Sequence, residues 1–296
     1  MFRPWVRRIF AGLHALPLMD RLHFLLSAAR YAFGNRRFRN EHPDFALPPD
    51  AFLHETYRLD YAAYARDGWD TARELLDRCR PYLPQGPTHI LDWGCGVARI
   101  TRHLPMLPGI RSVTGADVNE GMIRWNRANI PGIDFQQVSH EPPTPFAEGR
   151  FGLILAVSVL THVPAGSQAA WLQEAWRILA PGGILVLTTQ GRAFLPKLSP
   201  SERRRLKREG VLTRAYPVRG HRMMSSFHDP DPFRSAWQAG FQGLDFCDGS
   251  VDREAAGGQD LWVLRKKKHP TGNTTGLSAK IREAAPGDGS AYPVGG

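Results

Sequence analysis

From Ile90 onward, short apolar runs ending in polar residues alternate with segments of helical period. Ile90-Leu91 runs into Asp92, Ser112 to Ala116 runs into Asp117, and Ile133 to Val138 makes a third run. Phe151 to Leu160 is apolar almost throughout, which is how a strand covered on both faces of a parallel sheet reads. Ile184 to Thr189 is a fifth run, and Gln259 to Arg265 closes the series with Phe241 to Cys247 as its antiparallel hairpin partner. Between them, Val97 to Leu104, Asn119 to Asn129 and Gln168 to Leu179 are helix-compatible. Strands alternating with helices predict an α/β fold, a mostly parallel sheet with helices on both faces.

The flanks differ in character. Met1 to Phe33 mixes Phe2, Trp5, Ile9, Phe10, Leu13 and Leu16 with Arg3, Arg7 and Arg8, giving a helix of one apolar and one basic face, broken at Pro17. It reads as a helical lid packed on the domain; the alternative is peripheral contact of residues 1–16 with an anionic membrane. The proline-rich stretch 34–50 reads as a linker, and Trp69 to Cys79 has helical period. Residues 192–226 form an insertion expected to cap the site, with Glu202 to Arg208 as a solvated helix face. From Lys266 the apolar period is lost. The expected division is therefore a basic extension and linker (1–50), a catalytic domain (51–265) and a flexible basic tail (266–296).

Charge sharpens this division. The net +10 of the 296 residues sits at the ends: eight arginines against Asp20 alone in 1–40, and six Lys or Arg against Glu283 and Asp288 in 265–296. The remainder sums to −1, so no basic stripe accompanies the expected site, and nucleic acid is not expected as a partner. Cys79, Cys95 and Cys247 are too widely spaced for a disulfide frame or a zinc site. They predict a reducing, cytoplasmic location, at the inner face of the membrane if the N-terminal stretch binds lipid. No run reaches the roughly 18 apolar residues a spanning helix needs, and no metal-ligand grouping stands out. Oligomeric state is not legible.

The candidate chemistry lies in Asp92-Trp93-Gly94-Cys95-Gly96-Val97-Ala98-Arg99. A strand, a Gly-x-Gly turn and a helix-compatible segment hold nucleotides in parallel α/β sheets. A dinucleotide turn would have a third glycine where Arg99 stands, and the Asp92 carboxylate would repel a pyrophosphate. A cation fits that charge better. Asp117, 21 residues beyond Gly96 at the end of the second strand, is placed to accept both ribose hydroxyl protons. Cys95 offers its backbone N–H, and Val118 an apolar surface for a base.

These residues resemble motif I of the class I S-adenosylmethionine-dependent methyltransferases, Asp/Glu-x-Gly-x-Gly-x-Gly, with Ala98 in the third glycine slot. Pro181-Gly182-Gly183 is similar to that family's turn before the fifth strand. Ser158-Val159-Leu160-Thr161-His162-Val163 is similar to a bacterial subgroup often found near glycosyltransferases. The resemblance implies a Rossmann-like seven-stranded sheet, S-adenosyl-L-methionine as cofactor, and a small-molecule or saccharide acceptor methylated at oxygen. It assigns Asp92, Gly94, Cys95, Gly96, Asp117, Val118 and Ser158 to the cofactor. His140 stands where the family has an Asp against adenine, with Glu141 beside it. His162, His221 and His228 are candidate bases, and Tyr57, Tyr61, Gln190 and Arg222 candidate acceptor contacts. The readings competing with it are an NAD-dependent oxidoreductase and a non-catalytic membrane-surface protein on the same fold.

Overall fold

The computed structural model describes residues 16–86, 88–214, 224–252 and 255–268. Strands β1 (Thr88–Trp93), β2 (Ile110–Asp117), β3 (Asp134–Gln137), β4 (Phe151–Ala156) and β5 (Leu179–Thr189) pair in parallel around β1. The short pair β6 (Val211–Arg214) and β7 (Ser225–His228) forms a separate antiparallel ribbon. β8 (Phe241–Cys247) and β9 (Asp260–Lys266) complete a seven-stranded sheet of order β3-β2-β1-β4-β5-β9-β8, in which only β9 runs against the rest.

Alternation along each strand divides the core in two. Leu91, Trp93, Ile154, Leu185, Leu187 and Trp262 face one cluster, which α5 (Ala165–Ile178) covers with Trp171, Leu172 and Ala175. Ile90, Leu153, Leu155, Ile184, Val186 and Val263 face the other, covered by Ala72, Leu75 and Leu76 of α3 (Tyr61–Cys79). Both faces are buried, so these strands carry apolar residues at successive positions rather than at alternate ones.

Several expectations need correction. α1 (Leu16–Glu41) starts around Pro17 instead of breaking there, because a first-turn proline lacks only an N–H that would have no helical partner. The same helix runs through Gly34 into the expected linker, and α2 (Asp50–Thr56) occupies the linker's end. The segment after the glycine turn is not an α-helix but turns followed by a 3-10 helix, Thr101–Met106. Pro105 inside it cannot donate to a preceding carbonyl, and its ring would crowd an α-helical turn. Lys266 belongs to the domain and not the tail: its Nζ donates to the Leu179 carbonyl at 2.7 Å. α4 (Glu120–Asn129) begins as expected, its N-cap Asn119 accepting from Met122 N. α6 (Pro200–Glu209) is held by a capping box between Ser199 and Glu202, and α7 (Pro230–Trp237) packs Phe233 and Trp237 on the sheet.

The turn after β1 fixes where a ligand can sit. Gly94 and Gly96 have φ of +75° and +52°, and Ala98 follows at +57°. A Cβ on Gly94 would lie 2.5 Å from Val159 Cγ2. Gly94→Ala should therefore destabilise the fold by about 1–3 kcal/mol through the left-handed φ and the clash together. Adding Val159→Ala should recover the clash part alone. Urea denaturation of the single and double variants measures both, and equal midpoints for the two would contradict the contact.

Candidate active site

A cavity of about 620 Å³ opens at the C-terminal ends of β1, β2 and β4. Open α/β sheets place ligands at this edge, where the strand order reverses. Asp92, Trp93, Gly94, Cys95 and Gly96 come to it from β1 and its turn, Asp117 and Val118 from β2, and Ser158 and Val159 from beyond β4. His140, Glu141 and His162 also line it, so all nine expected cofactor residues and one candidate base share one wall system.

The turn backbone is tied from several sides. Gly94 N and Cys95 N both donate to the Ala116 carbonyl, at 2.7 and 3.0 Å. Gly96 N donates to Asp117 Oδ2 at 2.9 Å, and Asn119 N to Asp117 Oδ1 at 2.8 Å. Asn126 Nδ2 donates to Gly96 O at 2.8 Å, and the Tyr64 hydroxyl to Val97 O at 2.6 Å. Each Asp117 oxygen keeps a second lone pair for a ligand hydroxyl.

Two buried carboxylates set the electrostatics. Burial pushes Asp92 up to about 6, against the Thr101 hydroxyl that donates to its Oδ2 at 2.6 Å and the nearby Arg99 guanidinium. Burial likewise raises Asp117, against the N–H groups of Asn119, Gly96 and Val118. Desolvated negative charge favours a cationic ligand and disfavours a pyrophosphate. That is the fit required of an adenosyl ligand carrying a sulfonium and an ammonium group, and it argues against a dinucleotide.

His162 occupies the 3-10 turn after β4, and its Nδ1 donates to the Met224 carbonyl at 2.8 Å. A carbonyl can only accept, so Nδ1 carries the proton and Nε2 is the basic nitrogen of the neutral ring. Ser158 sits in a left-handed conformation (φ +61°). Its N–H donates to Thr188 Oγ1 at 2.7 Å, and its Oγ accepts from Gln259 Nε2 at 2.6 Å. Such strain at the end of a central strand marks a position fixed by its surroundings.

Other expected site residues lie elsewhere. His228 is fully buried, with Nε2 donating to Gln168 Oε1 at 3.0 Å and the ring 5.0 Å from Phe233; burial lowers it to about 3. It therefore packs the β6–β7 ribbon onto the domain and does not line the cavity. The Tyr57 hydroxyl donates to Asp67 Oδ2 and the Tyr61 hydroxyl to Asp50 Oδ1, both at 2.5 Å, so both phenols brace the N-terminal helices outside the cavity. Gln190 is buried beside β7, its carbonyl accepting from His228 N at 2.9 Å, and is also outside the cavity. His221 and Arg222 lie outside the described residues. The described part of the insertion does not line the cavity; it grips the loop after β4, Ser226 Oγ donating to Val163 O at 2.8 Å.

The sequence reading missed several lining residues. Phe52, Glu55 and Thr56 come from α2, and Arg99 stacks 4.6 Å above the Tyr57 ring while its Nη1 donates to the Asp67 carbonyl. Trp171 of α5 stacks on Trp93, ring centroids 4.6 Å apart. Arg99 alone had a signal, as the first charged residue after the glycine turn.

Residues 90–183 match a family model described as a methyltransferase domain. A trans-aconitate 2-methyltransferase of Methylobacterium nodulans is 30% identical over 134 residues, covering 40% of this chain and 48% of that protein. A malonyl-[acyl-carrier protein] O-methyltransferase of Legionella pneumophila is 28% identical over 140 residues, covering 45% and 46%. The aligned part thus spans about half of each relative. A crystal structure of a Pyrococcus horikoshii protein shares the fold, with a TM-score of 0.51 at 17% identity over 69% of this chain and 91% of that one. The span from the first strand through the glycine turn to the Pro-Gly-Gly turn is thus similar to a methyltransferase domain, on the Rossmann-like fold of the S-adenosylmethionine-dependent methyltransferases.

Proposed function

We propose that the domain moves a methyl group to a hydroxyl oxygen of an uncharged small molecule or saccharide, with His162 as general base. The observation that carries this reading is the place of His162 on the cavity wall, held there by its Nδ1 bond to the Met224 carbonyl. When bound, S-adenosylmethionine supplies a methyl on a positive sulfur, already a good electrophile. Asp92 would hold the ammonium end and Asp117 the ribose hydroxyls. His162 Nε2 takes the proton of the acceptor hydroxyl, and Trp93 with Trp171 excludes water from one side.

The names of two relatives favour oxygen, and the charge of this cavity favours a neutral acceptor over acids such as the malonyl and trans-aconitate for which relatives are named. One matched relative is named an O-methyltransferase of malonyl-[acyl-carrier protein], and another an O-methyltransferase of ubiquinone biosynthesis from Nitrosococcus oceani. In this chain Glu55 and Glu141 join the two aspartates around the cavity, so an anionic acceptor would meet like charge while hydroxyls meet acceptors. The similarity of residues 158–163 to a subgroup found near glycosyltransferases favours a sugar among neutral acceptors.

Asp92→Asn and Asp117→Asn should each weaken cofactor binding by about 1.5–3 kcal/mol, read by titration calorimetry with S-adenosylmethionine. Binding equal to wild type in both would remove the assignment. A cationic ligand requires ionised Asp92, so affinity should fall up to about tenfold per pH unit below about 6, and Asp92→Asn should flatten that dependence. His162→Gln should lower kcat by about 10²–10⁴-fold with cofactor affinity unchanged, and should abolish the acid limb of the pH–rate profile. The acceptor itself is found by incubating cell metabolites and glycans with methyl-deuterated cofactor and reading the mass shift. A label on nitrogen or carbon would overturn the oxygen assignment.

A further inference from the structure

Helix α1 is apolar on two sides. Its inner side packs Phe24, Ala28, Tyr31 and Phe38 against Leu53 of α2 and the α3 tyrosines. The outer side leaves Leu18, Leu22, Leu25, Leu26 and Phe33 in solvent, Phe33 at 82% exposure and Leu18 at 69%. Steps of four, three, one and seven residues bring these side chains into a single stripe about 100° wide on an α-helix. Isolated exposed leucines need no explanation, but a continuous stripe on a 26-residue helix does.

The charges beside the stripe have one sign. Arg21 flanks it on one side and Arg30 on the other, with Arg36 continuing it toward the C-terminal end; all three are exposed. The helix has two acids, and both lie off the stripe. Asp20 faces inward, 3.7 Å from His54, and Glu41 is held by Arg37 at 2.7 Å. An apolar stripe rimmed by arginines suits the boundary between acyl chains and anionic headgroups.

We infer that the outer face of α1 docks the protein on an anionic lipid surface, lying in the headgroup plane without crossing it. No described helix is long and apolar enough to cross a membrane. Charge separates this occupant from the others available. A second copy would bring its own arginines against these. Residues 1–15, with three arginines and no acid, carry the same sign as the stripe's rim and are drawn to the same anionic surface. This inference is independent of the acceptor and of the role of His162.

The test uses the full chain in flotation with vesicles of equimolar phosphatidylglycerol and phosphatidylcholine, and with phosphatidylcholine alone. Wild type should float with the anionic vesicles only, and less so as salt is raised. L22S/L25S/L26S/F33S and, separately, R21E/R30E/R36E should each reduce the bound fraction at least tenfold. Unchanged thermal melting and S-adenosylhomocysteine affinity would show that both variants remain folded. Wild-type binding by either folded variant overturns the inference, as does failure of wild type to bind. Sedimentation showing a wild-type dimer that the serine variant dissociates would instead assign the stripe to self-association.

Discussion

Three left-handed residues at alternate positions, Gly94, Gly96 and Ala98, reverse the chain at the tip of β1, and the site depends on their being held there. Glycine accepts this conformation freely, whereas the Ala98 side chain opposes it by roughly 1–2 kcal/mol. What offsets that cost is visible around the turn. The Ala116 carbonyl takes two of its N–H groups, Asp117 takes a third, and Asn126 and Tyr64 donate to two of its carbonyls. A Cβ at Gly94 would lie 2.5 Å from Val159 and one at Gly96 2.9 Å from Thr56, so a side chain at either would force its neighbour to shift. The turn is therefore ordered before any ligand arrives, and a cofactor meets a surface that need not be organised on binding.

This explains why the cofactor side could be read from the sequence and the acceptor side could not. Asp92 and Asp117 each end or nearly end an apolar run, so the strand that positions the carboxylate is written beside it. The Gly-x-Gly spacing reports backbone conformation directly. Histidines carry no such label. His162 and His228 have comparable polar neighbours in sequence, yet one reaches the cavity and the other is sealed at 1% exposure by α7 and Gln168. Only the packing of the β6–β7 ribbon separates them.

The tyrosines failed for a related reason. A phenol ahead of the glycine turn suits a cofactor lid and a helix brace equally, because its ring is apolar and its hydroxyl polar. Tyr57, Tyr61 and Tyr64 all act as braces, on Asp67, Asp50 and the Val97 carbonyl. The residues that do close the cavity belong to α2, only seven residues long and set behind Pro48-Pro49, where the prolines suggested a linker. Short helices stabilised by tertiary contact rather than by their own periodicity leave little trace in a sequence.

The distribution of charge follows from the same arrangement. An adenosyl donor with a positive sulfur needs buried anions, and anions in a cleft would be quenched by a basic stripe beside it. The arginine-rich surface is accordingly kept one helix away. α2 separates the two: Phe52 and Glu55 face the cavity, while His54 faces Asp20 and Phe24 of α1. α2 is thus packed between the two, with Thr56 beside Gly96 on one side and His54 beside Asp20 on the other. The wall of the cavity supplied by α2 is thus the part of the site backed directly by α1, and the basic, apolar outer face of α1 stays clear of the buried aspartates.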